Sequence, residues 1–167
     1  MKNLIFSFTV LMLVSCATSK VKEYSGLENF DESKYLGKWY EIARIDYFFE
    51  KNIINPTAEY SLNEDGTIKV VNKGYNTKKE KEVTANGHAV IKGKGKLKVY
   101  FNPFFGADYN VLYVDDDYKY ALVGGWKPKY LWILSREKNI SDEIYDKLVQ
   151  IAKEKGYETE KLKKYSE

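Results

Sequence analysis

The sequence predicts an all-β fold, an eight-stranded antiparallel up-and-down barrel with one C-terminal α-helix packed on its outside. Eight segments alternate apolar and polar residues between turn signals, which is typical of strands in a barrel or sandwich. Aromatic residues make up 16% of the 167 residues and there are only 3 prolines, a composition that favours strands. A barrel of eight strands is just wide enough to hold one small ligand.

The strand segments are defined by alternation and by the turns between them. Leu97, Val99 and Phe101 alternate with residues that include two lysines, so the apolar set faces inward and the lysines face water. A turn that ends in Gly66 predicts a hairpin, because glycine adopts positive φ without strain. The predicted strands are residues 37–47, 57–63, 67–75, 82–92, 96–102, 109–114, 119–126 and 130–136.

The same alternation predicts which side chains point into the barrel and line a ligand cavity. Small residues at Ala85, Gly87 and Ala89 share one face and would leave space inside. We expect a tryptophan in place of Val99 or Val111 to fill that space while leaving the fold intact. The predicted interior residues are Ala43, Tyr60, Val70, Asn72, Ala89, Val99, Phe101, Tyr109, Val111, Tyr113, Val123 and Trp132.

A single amphipathic helix is predicted after the last strand. Ser141 is a suitable N-cap and Gly156 ends the pattern. The apolar residues between them recur at helical spacing and form one stripe. Leu131 and Ile133 are predicted to face outward, so the stripe is interpreted as their cover. A helix that binds a membrane surface is the alternative.

Three motifs in order make the sequence similar to the lipocalins. They are GKWYEIAR at 37–44, DDYKYAL at 116–122 and YLWILSR at 130–136. The first resembles in particular the bacterial outer-membrane lipocalin lipoproteins and their apolipoprotein D-like relatives. The resemblance implies a lipocalin (calycin) barrel over residues 28–167, with Arg136 over the ring of Trp39 as a cation–π contact. Gly37 lets the chain bend into the first strand, and all three residues are interpreted as structural.

The N-terminus reads as an export signal followed by a lipid anchor. An apolar run inside residues 1–15 is too short to span a bilayer, which favours a signal peptide. It ends before Cys16, the only cysteine, in a sequence that resembles a lipobox. Residues 16–27 are therefore interpreted as a lipidated N-terminus and tether, and Ala17 after the cysteine resembles sorting to the outer membrane. An ordinary signal peptide with an incidental cysteine is the alternative.

The loops at the predicted mouth of the barrel suggest the class of ligand. Two of these loops are apolar and two are basic, which suits a molecule with a long tail and an anionic head, since lysine binds phosphate or carboxylate as a point charge. The resemblance likewise implies a fatty acid or a lysophospholipid. In the alternative reading the aromatic residues tuck into their loops and the lysines are simply solvated. The predicted mouth residues are Phe48, Phe104, Lys78, Lys127 and Lys129.

The remaining sequence features argue against several other functions. A net charge of +3 with lysines scattered among glutamates does not predict a nucleic-acid surface. No catalytic residue, cofactor or metal is predicted: Asp115–117 reads as a solvated turn, His88 as an outward surface residue and Glu41 as hydrogen-bonded structure near the closed end. The prediction is a monomer or weak homodimer. A structural lipoprotein with an incidental cavity and an enzyme that uses the same cavity remain as alternatives.

Overall fold

The computed structural model describes residues 24–47 and 50–165 of the chain. Cys16 and Phe48, two of the predicted functional residues, lie outside the described residues. Among the residues described, no helix is long and apolar enough to span a membrane. The elements are α1 (Glu32–Tyr35), β1 (Gly37–Ile45), β2 (Ile53–Leu62), β3 (Ile68–Asn76), β4 (Lys81–Gly93), β5 (Lys96–Tyr100), β6 (Gly106–Val114), β7 (Tyr120–Gly124), β8 (Leu131–Ser135), α2 (Asp142–Glu154), a 3₁₀ turn (Thr159–Lys161) and β9 (Leu162–Lys164).

Strands β1 to β8 form a closed antiparallel barrel in which each strand pairs with the next along the chain. Closure comes from β1, which pairs with β8 on one side and with β2 on the other. The connections after β1, β3, β5 and β7 therefore meet at one end, the mouth, and the others meet at the closed end. The predicted barrel and its single long C-terminal helix are confirmed, and Gly66 has the positive φ, 81°, that its turn requires.

Two short elements were not predicted, the helix α1 and the strand β9. The pairing of β1 with β2 ends at Tyr40 and Thr57, which leaves the mouth-side half of β1 with a free edge. Strand β9 occupies that edge and pairs with Ala43–Ile45. The last residues of the described chain thus lie beside the gap between β1 and β2.

The closed end is fixed by an arginine that lies over a buried tryptophan. The guanidinium of Arg136 lies 3.7 Å above the ring of Trp39, the contact that the resemblance implies. It also donates a hydrogen bond of 2.8 Å to the carbonyl oxygen of Leu36, and the Trp39 indole donates one of 2.8 Å to that of Tyr35. Gly37 has a φ of 91°, and a Cβ there would lie 3.4 Å from Arg136 Nη1. Gly37, Trp39 and Arg136 therefore pack against one another and together close this end of the barrel.

Helix α2 covers the outside of the barrel as predicted. The side chain of Ser141 caps it by accepting a hydrogen bond from the N–H of Ile144. Leu148 and Ala152 are fully buried in a core that also contains Leu131 and Ile133 of β8. The helical stripe is thus occupied by the barrel wall, which accounts for its apolar character without a membrane.

Two of the predicted interior residues, Ala43 and Tyr113, face outward, so their assignment to the cavity is wrong. Strand β1 shifts its register against β8 just before Ala43, and β6 shifts against β7 just before Tyr113. An extra residue at a bulge reverses the side on which the following side chains lie. Ala43 and Tyr113 therefore join the core beneath α2, whereas Arg44 and Val114 turn toward the interior.

Candidate ligand-binding cavity

An open cavity of about 520 Å³ occupies the mouth-side half of the barrel. Its volume falls within the range of about 300–1,000 Å³ that is usual for small-molecule sites. Most of its wall comes from β2 to β6, where short inward side chains leave the space open. The apolar lining residues are Ile53, Pro56, Ala58, Val83, Ala85, Val99, Phe101, Phe105 and Ala107.

The closed half of the barrel is filled by aromatic side chains. The hydroxyl groups of Tyr35 and Tyr109 lie 2.6 Å apart, and those of Tyr60 and Tyr109 lie 3.0 Å apart. The ring centroids of Tyr35 and Trp39 are separated by 4.9 Å. These buried rings form the floor of the cavity, because Tyr60 lies two residues deeper on β2 than the cavity-lining Ala58.

The structure separates the predicted interior residues by depth. Asn72, Val99 and Phe101 line the open cavity. The others that face inward belong to the packed interior core or pack against it, namely Tyr60, Val70, Ala89, Tyr109, Val111, Val123 and Trp132. Alternation along a strand therefore identified the inner face and did not identify how far the space extends.

A buried arginine with three neighbouring carboxyl groups forms the polar side of the cavity. Arg44 has no exposed surface, and its Nη1 lies 2.6 Å from Glu41 Oε1 while its Nε lies 3.1 Å from Asp46 Oδ1. Its Nη2 donates to the carbonyl oxygens of Glu50, at 2.5 Å, and Ile53, at 2.9 Å. Arg44, Glu41 and Glu50 all line the cavity. Glu41 is hydrogen-bonded as expected, although at the cavity wall.

Burial perturbs the acid groups of this cluster. Desolvation, and next the nearby charge of Glu50, raises the pKa of Glu41 to about 8, although Arg44 acts to lower it. Desolvation also raises the pKa of Glu50, against the lowering effects of Arg44 and of a hydrogen bond from Trp132. The cluster therefore retains a proton near neutral pH, and its net charge is smaller than its composition suggests.

The mouth carries exposed aromatic and basic side chains, as the sequence predicted for its loops. Phe104 is 84% exposed, in the connection between β5 and β6. The ammonium of Lys127 lies 4.1 Å from the ring centroid of Trp126, and that of Lys129 lies 5.0 Å from the ring of Tyr47. Lys78 lies in the exposed turn between β3 and β4. The lysines surround the opening, and none of them lines the cavity.

A comparison of the sequence with protein families agrees with the barrel and its motifs. A model described as a lipocalin-like domain matches residues 30–167. The chain belongs to the lipocalin family. Family members are binding proteins rather than enzymes, and this lipocalin carries its ligand-sized cavity at the expected place, inside the barrel.

Several known proteins are similar to this lipocalin over most of its length. The outer membrane lipoprotein Blc of Citrobacter freundii is 44% identical over 156 residues, which cover 90% of this chain and 88% of the relative. The Blc protein of Escherichia coli K12 is 40% identical over the same shares of the two chains. Apolipoprotein D of Cavia porcellus is 38% identical, covering 81% of this chain and 76% of its own. The bacterial relatives support a lipid-anchored location at the outer membrane.

Solved structures confirm the fold at lower identity. The cockroach allergen Per a 4 superposes with a TM-score of 0.70 at 19% identity, covering 89% of this chain and 95% of the allergen. Lobster apocrustacyanin A1 superposes with a TM-score of 0.68 at 20% identity, covering 82% and 79% of the two chains. At these identities the likeness concerns the barrel and not the ligand.

Sequence reasoning missed the polar side of the cavity. Arg44 ends the first motif, and its inward position depends on a bulge that strict alternation does not contain. Glu50 lies in the connection after β1, which is one of the two predicted apolar mouth loops and offers no sequence signal for a polar contact. The signal that the sequence offers for this bulge is the pair of adjacent apolar residues Ile42 and Ala43. Two apolar residues in succession break the alternation of a half-buried strand and so indicate a bulge.

Proposed function

We propose that this lipocalin binds a single-chain lipid, a fatty acid or a lysophospholipid, in its cavity, and stores, transports or helps to repair envelope lipids. The observation that carries the proposal is the cavity itself, a space of about 520 Å³ with mainly apolar walls in the mouth-side half of the barrel. Apolar walls favour an acyl chain because burial removes its surface from water. Ala58, Val83 and Ala107 expose no hydrogen-bonding side chain to it.

The rim supports a ligand whose head group remains at the mouth. Lys78, Lys127 and Lys129 belong to loops that surround the opening, where an ammonium group can attract a phosphate or carboxylate while it stays hydrated. Phe104 presents an exposed ring in the same region. An acyl chain inside and an anionic head at the rim would together satisfy both surfaces.

The anchor of this binding module is proposed to be Cys16. We assign residues 1–15 to a signal peptide, 16–27 to the lipidated N-terminus and tether, and 28–167 to the lipocalin domain. Several acyl chains on one cysteine give stable attachment, because each buried methylene contributes about 0.8 kcal/mol. The same proposal has the protein acting as a monomer or a weak homodimer.

The test is native mass spectrometry combined with lipid extraction. The mature chain from Cys16 onward, carrying Cys16→Ser to prevent acylation, is purified from its own envelope. We expect a fatty acid or lysophospholipid to co-purify at nearly one molecule per chain. Val99→Trp, which reduces the cavity from one wall, is expected to co-purify with less lipid.

The opposite result would be an empty protein whose tryptophan fluorescence does not change when either class of lipid is added. That result would overturn lipid binding and leave a structural envelope lipoprotein with an incidental cavity. The same extract is also analysed for a covalently altered lipid. Finding one would favour the alternative of an enzyme that uses this cavity.

A further inference from the structure

Large apolar side chains are exposed mainly at the mouth of the barrel. Phe104 is 84% exposed, Phe105 is 77% exposed and Trp126 is 59% exposed, in the connections that follow β5 and β7. The closed end of the described structure has two such side chains, Leu62 and Ile91. A concentration of exposed apolar surface usually marks an interaction site. The remaining exposed apolar side chains, also in the mouth-side half, are Ile54, Tyr75 and Phe101.

The exposure of the rings after β5 follows from the turn that carries them. The side-chain oxygen of Asn102 accepts hydrogen bonds from the backbone N–H groups of Phe104, at 3.0 Å, and Phe105, at 2.9 Å. An asparagine in this role stabilises a turn, so the tip of the loop keeps the ring of Phe104 in solvent. Phe104 and Trp126 also lie outside the lining of the cavity, so a ligand inside the barrel does not account for them.

The same end of the barrel carries an excess of basic side chains. Three acidic residues belong to the mouth connections, and two of them are engaged, Asp46 in ion pairs and Glu50 at the cavity wall. Glu80 is exposed. The same connections contain five lysines, Lys51, Lys78, Lys79, Lys127 and Lys129. Within the described residues, none of these five lysines forms an ion pair with a carboxylate.

The closed end has the opposite charge. Its connections after β2, β4, β6 and β8 contain six acidic residues against four basic ones, and one of the four is Arg136, which is bonded to backbone carbonyl groups. The barrel is therefore polarised, with exposed rings and positive charge at one end and negative charge at the other. The six acidic residues are Glu64, Asp65, Asp115, Asp116, Asp117 and Glu137.

The connection between β7 and β8 combines both kinds of side chain. The ammonium of Lys127 lies 4.1 Å from the ring centroid of Trp126, and that of Lys129 lies 5.4 Å from the ring centroid of Tyr130. Tryptophan and tyrosine concentrate at membrane–water interfaces, and lysine keeps its stem on apolar surface while its charge reaches the head groups. A second copy of this chain fits the surface less well, because contact from mouth to mouth would bring two sets of five lysines together.

We propose that the mouth is a docking surface for a lipid bilayer that contains anionic phospholipids. The rings of Phe104 and Trp126 enter the boundary between head groups and acyl chains, and the five mouth lysines contact the phosphates. Docking in this orientation turns the opening of the cavity toward the acyl layer. The inference goes beyond the proposed function, since it concerns the surface that the mouth contacts and does not depend on the molecule inside the barrel.

The test measures binding of the mature Cys16→Ser chain to vesicles of two compositions. One contains equal parts of phosphatidylglycerol and phosphatidylcholine, and the other contains phosphatidylcholine alone. We expect the anionic vesicles to bind at least about tenfold more tightly in co-sedimentation at low salt, and the difference to shrink as salt screens the charges.

The position of the contact is measured through tryptophan fluorescence. Trp126 is exposed, whereas Trp39 is fully buried and Trp132 is half-buried. Phospholipids with brominated acyl chains are therefore expected to quench the fluorescence of Trp126 in the docked protein. Trp126→Phe is expected to remove most of that quenching and to keep binding.

The decisive variant combines Phe104→Ser with Trp126→Ser. We expect it to weaken binding to anionic vesicles at least about tenfold, because two apolar side chains no longer leave water. Its thermal stability is expected to stay unchanged, since both positions are exposed. The matched control combines Leu62→Ser with Ile91→Ser at the closed end and is expected to keep vesicle binding. Val99→Trp, which reduces the cavity, is also expected to keep it.

The outcomes that would overturn the proposal are distinct. They include equal binding to neutral and anionic vesicles, no binding to either, and an equal loss in the mouth variant and the closed-end control. Loss of vesicle binding in Val99→Trp would mean that the signal reports uptake of lipid into the cavity rather than docking. A dimer that the mouth variant dissociates, in a protein that does not bind vesicles, would assign the surface to a second copy of the chain.

Discussion

The two halves of the barrel use the same strands for opposite purposes. In the closed half, inward positions carry large rings such as Tyr60 and Tyr109, whose hydroxyl groups bond to one another. In the mouth-side half, neighbouring inward positions carry small residues such as Ala58 and Ala85, which leave the cavity open. The difference shows that stability and ligand capacity are set at separate depths of one fold, by side-chain size alone.

The two arginines, one fully buried and one half-buried, extend the comparison to charge. Arg136, at the closed end, lies over an aromatic ring and bonds to backbone carbonyl groups of Lys38 and Leu36. Arg44, in the open half, bonds to the carboxylates of Glu41 and Asp46. The first arginine holds chain segments together, whereas the second compensates acid groups that face the cavity. Only the second arrangement leaves titrating groups where a ligand would bind.

The largest expected effect comes from placing the same bulky residue in each half. Val111→Trp inserts a large ring into the packed half, where Val111 is completely buried, and is expected to lower the free energy of unfolding by about 3 kcal/mol, the upper range for overpacking. Val99→Trp extends into the open cavity and is expected to change it by less than about 1 kcal/mol, while weakening lipid binding at least tenfold. Denaturant unfolding and lipid titration provide the two measurements.

From alternation alone, both Val99→Trp and Val111→Trp are expected to leave the fold intact. The structure changes that expectation for Val111→Trp, because Val111 is completely buried. Similar stability losses in both variants would mean that the two halves do not differ in packing. Normal lipid binding by Val99→Trp would mean that the acyl chain lies elsewhere.

The next effect concerns the pH dependence of stability. The pKa of Glu41 is raised to about 8 in the folded chain, so this group stabilises the fold fully at low pH, and its contribution is lost as pH rises through about 8. Between about pH 5 and 8 the free energy of unfolding is expected to fall by up to about 1.4 kcal/mol per pH unit. Glu41→Gln is expected to flatten that slope, measured by denaturant unfolding at a series of pH values.

Glu59→Gln is the matched control, because it removes an exposed carboxyl group from the neighbouring strand β2. It is expected to leave the slope unchanged. A slope that persists in Glu41→Gln would assign the pH dependence to other groups and would contradict the account of the polar cavity wall.

The smallest expected effect tests the rim. Replacing Lys78, Lys127 and Lys129 together with glutamine should weaken the binding of a lysophospholipid by about 1 kcal/mol in total and leave a monoacylglycerol of equal chain length unchanged, because only the phosphate is charged. Titrations at low and physiological salt provide the measurement. The matched control replaces lysines at or near the closed end, namely Lys69, Lys92 and Lys119. Equal losses for both lipids would contradict a head-group role.

Most of the fold was predictable because its signals are local. The alternation around Val99, the cap at Ser141 and the glycine of the 63–66 turn each depend on a few adjacent residues, and the structure contains all three elements. The helix cover over Leu131 was predictable for a related reason, since an outward apolar residue on a barrel requires a neighbour.

The cavity was less predictable because it depends on two nonlocal properties. The first is register. The bulges in β1 and β6 place Ala43 and Tyr113 on the outer face of the barrel, and a prediction from strict period-two alternation does not include the extra residue of a bulge. The second is depth, which depends on how the rings of several strands meet. Val111 and Val99 have equivalent patterns in the sequence and both belong to the interior core, yet only Val99 also borders the open space.

The route by which the chain enters the barrel has a consequence for lipid traffic. The N-terminal segment lies at the closed end, where the N–H of Leu27 donates to the carbonyl of Lys94 between β4 and β5. With Cys16 as the proposed attachment point, Tyr24 follows eight residue steps later, a reach of at most about 29 Å. The nine-residue strand β1 is roughly 30 Å long but rises only about 23 Å along the axis, because barrel strands tilt by about 35–45°. With its closed end on the membrane, the barrel opens away from the leaflet that holds it and faces whatever lies across the periplasm. Only a nearly extended tether, running the full height of the barrel, lets the mouth turn toward that leaflet to draw lipid from it.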